Sequence, residues 1–117
     1  MLKKTESKQK PITIRDIKIK TGVVKRTGKE LQMYADEIIK QKQRITKLEE
    51  NNADIHDIRK QNEVLEESVA MLPDTKKRLI MAHRELADLL NRFEADGTEE
   101  EIEVANSVLT DVEPLLV

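Results

Sequence analysis

Apolar residues recur at every seventh position along two long stretches of the chain. The first series is Ile17, Val24, Leu31, Ile38 and Ile45, and the second is Ile58, Leu65, Leu72, Leu79, Leu86 and Phe93. Such a repeat is typical of α-helices that pack side by side. The positions three residues further on are often polar or small, which is unsuited to a self-sufficient dimeric zipper. The two series therefore predict two long helices, over about residues 13–50 and 57–95, that pack within one molecule.

Turn and capping residues divide the chain into three helical segments. Asn and Asp cluster between residues 50 and 57, where their side chains compete with the helical backbone and favour a reversal. Gly97 supplies a helix stop, and Thr98 with Glu101 matches a capping box, so a third helix is expected over about residues 99–116. Its apolar stripe consists of Ile102, Ala105, Leu109, Val112 and Leu116.

These elements predict an all-α fold, an elongated antiparallel three-helix bundle. We expect one domain over residues 13–117, preceded by a flexible basic tail at residues 1–12. A length of 117 residues suits one small domain, and an aromatic content of 2% is too low for an ordinary globular core. Three Gly and three Pro residues leave too few turn positions for a β-rich fold.

Pro73 interrupts the second helical series. Proline lacks the backbone donor and crowds the carbonyl four residues earlier, at Val69, which costs about 3 kcal/mol in a straight helix. We expect the second helix to be kinked at Pro73. The bend either fits the helix to a curved rod or shapes a surface for a partner protein, and in the second case Asp74 caps the helix that restarts. The sequence pattern does not choose between the two.

The composition argues against most kinds of chemistry. The chain has no Cys, and its two imidazoles, His56 and His83, lie outside any metal-ligand spacing. Phosphate-binding loops, a GxSxG element and an acidic metal cluster are missing from the sequence. We therefore expect no catalytic residue, no cofactor and no metal site, hence no enzyme. No apolar run approaches the ~20 residues of a membrane span. Because the chain has no Cys, a reducing intracellular compartment is expected.

Charge is distributed unevenly along the chain. Residues 1–30 carry ten Lys or Arg against three acids, whereas residues 94–117 carry eight acids and no Lys or Arg. The acidic end either makes an antiparallel return along the basic end or leaves the basic end available to an acidic partner. Helical spacing also places Lys18, Gly22, Lys25 and Lys29 on one outward stripe. This stripe is either exposed to solvent or a contact surface for an acidic partner. Gly22 lies either on a surface position that tolerates any residue or at a point where another backbone approaches closely.

Residues 17–26 read IKIKTGVVKR, with a glycine and clustered β-branched residues that helix propensity does not favour. This segment resembles the signature of the tubulin-binding cofactor A family. Further agreement lies in Tyr34, DIRKQ at 57–61, Glu67 with Ser68, LPD at 72–74 and Arg78 with Leu79. The resemblance covers about residues 15–94 and is most specific in the decapeptide.

The resemblance implies a rod-like three-helix bundle with a proline-interrupted second helix. It also implies a chaperone that captures β-tubulin and passes it to other tubulin-folding cofactors without hydrolysing nucleotide, in a cytoplasmic, cytoskeleton-associated location. Binding would use the helical surfaces. The matching positions implied as partner-binding residues are Lys18, Lys20, Lys25, Arg26, Arg59, Lys60, Pro73 and Asp74. Thr27 and Gly28 depart from the apolar pair usual in the family, and Gly28 is expected to loosen the first helix locally.

Two other interpretations stay open at the level of sequence. A basic segment followed by heptads is also the arrangement of a basic leucine zipper, but Pro11, Gly22 and the β-branched run disfavour a helix that reads a DNA groove. We therefore expect no nucleic-acid partner. A coiled-coil scaffold is the second alternative, although the polar companion positions favour intramolecular packing. We expect a monomer, with a weak homodimer left open.

Overall fold

A computed structural model describes residues 11–93 and 99–117 of the chain. These residues form three helices, α1 (Ile14–Glu50), α2 (Ile55–Arg92) and α3 (Glu100–Leu116), and they contain no strand. Contacts between Lys20 and Glu85 and between Gln41 and Gln61 show that α1 and α2 are antiparallel. The molecule is 68 Å long and 21 Å across its narrowest dimension. The prediction of an elongated, antiparallel three-helix fold is confirmed.

Side-chain caps set both ends of the α1–α2 hairpin. A capping box starts α1: Thr13 Oγ1 accepts from the Asp16 amide at 3.2 Å, and Asp16 Oδ2 accepts from the Thr13 amide at 2.9 Å. The predicted reversal lies where Asn52 adopts a φ of 53°, a left-handed conformation that Asn tolerates. Asp54 then caps α2 by accepting from the His56 amide at 2.8 Å. This cap explains why α2 begins two residues before the expected position.

The predicted seam forms the core of the bundle. From α1, all five members of the first heptad series are buried, and Val24 is completely inaccessible to solvent. From α2, Leu79 and Leu86 are buried together with the small companions Thr75 and Ala82. The small side chains allow α1 and α2 to approach closely. Burial of these apolar side chains therefore stabilises the bundle, as aromatic residues do in the core of an ordinary globular domain.

The third helix covers only one half of this seam. With 17 residues, α3 is roughly 25 Å long, against roughly 55 Å for α1. It lies beside the first half of α1 and the second half of α2, since Val112 contacts Gly28 and Leu109 contacts His83. Beyond it, the second-series residues Ile58, Leu65 and Leu72 are only half-buried. The remaining part of the hairpin is a two-helix arm.

The start and face of α3 differ in detail from the expectation. Thr98 of the expected capping box lies outside the described residues, and the N-cap is Glu99, whose side chain makes no capping bond. Ala105 and Val112 of the expected stripe are buried. Val108, absent from that stripe, is buried as well, because it lies on the side of α3 that faces α1. Gly97 and the predicted tail up to residue 10 also lie outside the described residues.

Helix α2 runs through Pro73 without a break from Ile55 to Arg92. Pro73 is exposed, as expected for the outer side of the helix, and its bend stays a prediction. The expectation that Asp74 caps a restarted helix is wrong, because no new helix begins there. The Asp74 carboxylate instead lies 3.5 Å from Arg78 Nε, one turn along the same helix.

Candidate partner-binding surfaces

Two of the proposed partner-binding residues take part in ion pairs within the bundle. Lys20 Nζ lies 3.0 Å from Glu85 Oε1, which joins α1 to α2. Asp74 contributes to a second group, in which Arg78 Nη2 donates to Glu30 Oε1 at 2.9 Å. The hydrogen bond with Glu30 raises the pKa of the Arg78 guanidinium, and the charges of Glu30 and Asp74 add to this effect. Lys20 therefore joins two helices directly, whereas Asp74 pairs within α2 with the arginine that reaches α1.

A groove runs between α1 and α3. Its larger cleft has a volume of about 480 Å³, and a smaller cleft of about 210 Å³ lies next to it. Val104 lines both clefts, so they lie end to end in the depression between α1 and α3. We call this depression the α1–α3 groove; its lining residues include Lys18, Thr21, Lys25, Gly28, Lys29, Gln32, Glu100, Glu101, Val104, Ser107, Val108, Asp111, Val112 and Leu115. The predicted stripe of Lys18, Lys25 and Lys29 therefore forms one edge of a groove.

The two glycines of α1 have different surroundings. A Cβ atom on Gly28 would lie 3.0 Å from Val112 Cγ1, so this buried glycine is the point where α3 approaches α1 most tightly. A Cβ atom on Gly22 would meet only the Arg26 guanidinium, at 3.1 Å from Nη1. The expectation that Gly28 loosens α1 is wrong, since the helix is continuous and the missing side chain makes room for α3. The close approach considered for Gly22 is found at Gly28.

The remaining proposed residues do not join this groove. Arg26 is exposed and lies over Gly22, outside the groove lining. Arg59 and Lys60 are exposed near the start of α2, level with Gln41 of α1. Gln41 follows Lys20 by 21 residues along α1, so these cations lie roughly 30 Å from Lys20 along the rod. Pro73 and Asp74 lie near the middle of α2, between these two groups, so the structure spreads the candidates along the rod.

Sequence reasoning missed a second basic surface near the hairpin tip. An open cleft there is lined by Lys40, Lys42, Arg44 and Lys47, together with neutral residues and Glu50. Lys40, Arg44 and Lys47 follow a spacing of four and three, which places them on one face of α1. The same helical spacing that identified the Lys18 stripe would have found them.

Comparisons with known proteins agree with the bundle and its arrangement of helices. A family model described as "Tubulin binding cofactor A" matches residues 12–109. The chain belongs to this family. "Tubulin-specific chaperone A" of Gallus gallus is 43% identical over 99 residues, which cover 85% of this chain and 92% of that protein.

Solved structures give the same result. The crystal structure of tubulin folding cofactor A from Arabidopsis thaliana superposes with a TM-score of 0.80 at 37% identity, covering 86% of this chain and 95% of that one. A β-tubulin binding post-chaperonin cofactor superposes with a TM-score of 0.74 at 31% identity, covering 86% and 96%. The family resemblance deduced from the decapeptide is confirmed.

The two histidines lie at different places on α2. His83 Nε2 lies 3.1 Å from the Leu109 carbonyl and is half-buried at the edge of the seam, whereas His56 is exposed in the first turn of α2. No group of three or more His, Cys, Asp or Glu side chains in residues 11–93 and 99–117 is placed to hold a metal ion. Over the same ranges, none of the helices combines the length and apolar character needed to cross a membrane.

Proposed function

We propose that this protein is a tubulin-folding cofactor that binds and stabilises β-tubulin through the polar surface of its helical rod, without catalysing a reaction. The observation that carries the proposal is the family match over residues 12–109. Similarity to a β-tubulin binding cofactor over 86% of the chain supports β-tubulin as the client. The exposed cations of α1 and α2 suit an acidic protein such as tubulin, because charge complementarity speeds encounter and aligns the partners.

The proposal also covers the protein's location in the cell, its other partners and its oligomeric state. We propose that the protein acts in the cytoplasm, next to the cytoskeleton, and that other tubulin-folding cofactors receive β-tubulin from it. The monomer is proposed as the active form, with self-association being weak. We also propose that Lys18, Lys25, Arg26, Arg59 and Lys60 contact the client directly, because each is exposed. Lys20, Pro73 and Asp74 are proposed to act at the margin of the contact.

The nucleic-acid alternative is not favoured. A basic-zipper helix must enter the major groove of DNA with its contacting face free. In this protein the basic half of α1 is packed against α2 through Val24 and against α3 through Gly28. That half of the helix is therefore part of the bundle.

A pull-down from a cell lysate tests the proposal, with the immobilised protein as bait and separate immunoblots for α- and β-tubulin. We expect recovery of β-tubulin without a matching amount of α-tubulin. Equal recovery of both would indicate binding to the heterodimer and contradict capture of β-tubulin alone. Recovery of neither would overturn the proposed function.

A further inference from the structure

The α1–α3 groove has an apolar floor and two edges of opposite charge. Gly28, Val108 and Val112 lie at its base, and all three are buried. Lys25 and Lys29 lie on the α1 edge, whereas Asp111 lies on the α3 edge. The smaller cleft repeats this arrangement, with Lys18 facing Glu100 and Glu101. The α1 edge thus carries three cations, and the α3 edge carries three carboxylates.

The length of the groove is that of a short helix. Its α1 edge extends from Lys18 to Gln32, which corresponds to roughly 21 Å, or about four helical turns. The furrow between two packed helices accepts the side-chain ridge of a third. A bound helix satisfies its own backbone hydrogen bonds, whereas an extended peptide would need donors and acceptors that these side chains provide only at the edges.

The charges along both edges are available to a partner. Among the described residues, no ion pair joins Lys18, Lys25 or Lys29 to an acid, and none involves Asp111. Opposite charges thus face each other across the groove without being paired. A helix with carboxylates along one side and basic residues along the other would neutralise both edges at once, and it could do so in one rotational setting only.

Val104 identifies the centre of the contact. Its side chain is 48% exposed and lines both clefts. An exposed apolar side chain between polar edges gains stability when a partner removes it from water. It would pack against the apolar stripe of the incoming helix.

We propose that the α1–α3 groove binds an amphipathic helix of β-tubulin, whose apolar stripe is flanked by carboxylates facing α1 and by basic residues facing α3. This inference rests on the proposed function and adds the location and chemistry of the contact. The bound segment would complete a local four-helix bundle at the end of the molecule that α3 covers. Arg59 and Lys60, roughly 30 Å from Lys20 along the rod, would contact a different part of β-tubulin, outside the groove.

Substitutions at the groove test the proposal through binding of labelled β-tubulin, produced by cell-free translation and analysed on native gels. Val104→Glu places a charge on the apolar stripe of the bound helix, and Lys25→Glu combined with Lys29→Glu reverses one edge. We expect each variant to bind about tenfold more weakly or worse. Met81→Glu is the matched control, since Met81 is an apolar residue on α2 with 56% exposure and lies outside both clefts.

Thermal unfolding and circular dichroism establish that the variants are folded, as expected for exposed positions. Wild-type affinity in folded Val104→Glu and in the Lys25→Glu, Lys29→Glu variant would overturn the groove proposal while leaving the proposed function intact. Failure of the wild-type protein to bind β-tubulin would overturn both. Equal weakening by Met81→Glu would also overturn the groove, because the loss would then not be specific to it.

A photo-crosslinker identifies the chemistry of the bound segment. The chain has no Cys, so Ser107→Cys introduces a single attachment site for a benzophenone on the α3 edge of the groove. We expect crosslinks to a β-tubulin helix with an apolar stripe between acidic and basic sides, identified by mass spectrometry. Met81→Cys carries the control label and should give no such crosslink. Crosslinks from Ser107→Cys to a loop or strand, or none at all, would overturn the proposal.

Discussion

Two glycines that look alike in the sequence have opposite roles in the fold. Both interrupt the same basic helix, and both cost helical stability relative to Ala. Gly28 lies under Val112 of α3, whereas Gly22 faces only the flexible end of Arg26. Val112 is β-branched and buried, so it has little freedom to move aside. One glycine is therefore required by packing, and the other is not.

Replacing each glycine by Ala tests this difference. Gly22→Ala should stabilise the protein by about 1 kcal/mol, because the Arg26 guanidinium can move and the helix gains propensity. Gly28→Ala should destabilise it by about 1 kcal/mol net, because the strain of overpacking exceeds the same gain in propensity. Urea denaturation followed by circular dichroism measures both changes in the free energy of unfolding. Stabilisation by Gly28→Ala would show that α3 is not closely packed at this point.

Gln41 is a buried polar residue that fixes the register of α1 against α2. It is fully buried, and its Nε2 donates to the Gln61 carbonyl at 2.9 Å and to Gln61 Oε1 at 2.8 Å. Arg44 Nη1 donates to Gln41 Oε1. A polar pair at a single seam position allows only one alignment of two helices, at some cost in stability.

Gln41→Ala should lower the free energy of unfolding by about 1–3 kcal/mol, because the buried hydrogen bonds are lost and a cavity forms. Gln43→Ala is the control, since Gln43 is exposed on the same helix and should change the stability by less than about 0.5 kcal/mol. Thermal and urea unfolding of the pair measures the difference. Equal stability of the two variants would contradict a role for Gln41 in holding the hairpin.

At the scale of elements, heptad spacing was sufficient to predict both long helices and the residues of their seam. It could not show that burial along the seam is uneven, because Leu86 and Leu65 occupy equivalent places in the repeat. Their difference depends on the length and position of α3, which covers Leu86 and ends before Leu65. The α1–α3 groove was likewise hidden, since its two edges lie about 80 residues apart in the sequence and only the Lys18 stripe had a visible pattern.

Truncation of these two leucines separates the covered and uncovered halves of the seam. Leu86→Ala should cost about 3–5 kcal/mol, because Leu86 is fully buried among three helices. Leu65→Ala should cost about 1–2 kcal/mol, since Leu65 is half-buried and water already reaches part of its surface. Urea denaturation gives both values. A larger loss for Leu65→Ala would mean that the two-helix arm, and not the three-helix half, holds the molecule together.

At the scale of the whole molecule, the acidic end of the chain lies beside its basic end. The acidic third helix packs against the basic half of α1, but it runs parallel to α1, so the expected antiparallel return is wrong in its direction. Yet the contact between α1 and α3 rests on Gly28, Val108 and Val112, and no ion pair among the described residues joins these two helices. Apolar packing therefore holds α3 against α1, and the opposite charges of the two helices are left unpaired among the described residues.

Removal of residues 94–117 tests how far the molecule depends on this packing. In the intact protein we expect amide hydrogen exchange to be slowest near Val24 and Leu86 and faster in the two-helix arm, because local stability follows buried contacts. Without α3, the apolar side chains of α1 and α2 that it covers become exposed to water. The protection of amides near Val24 and Leu86 against exchange should then fall to that of the two-helix arm. A two-helix hairpin whose seam is half polar has little apolar area left to offset its conformational entropy. Retention of slow exchange at Val24 in the shortened chain would show that α1 and α2 are stable without α3.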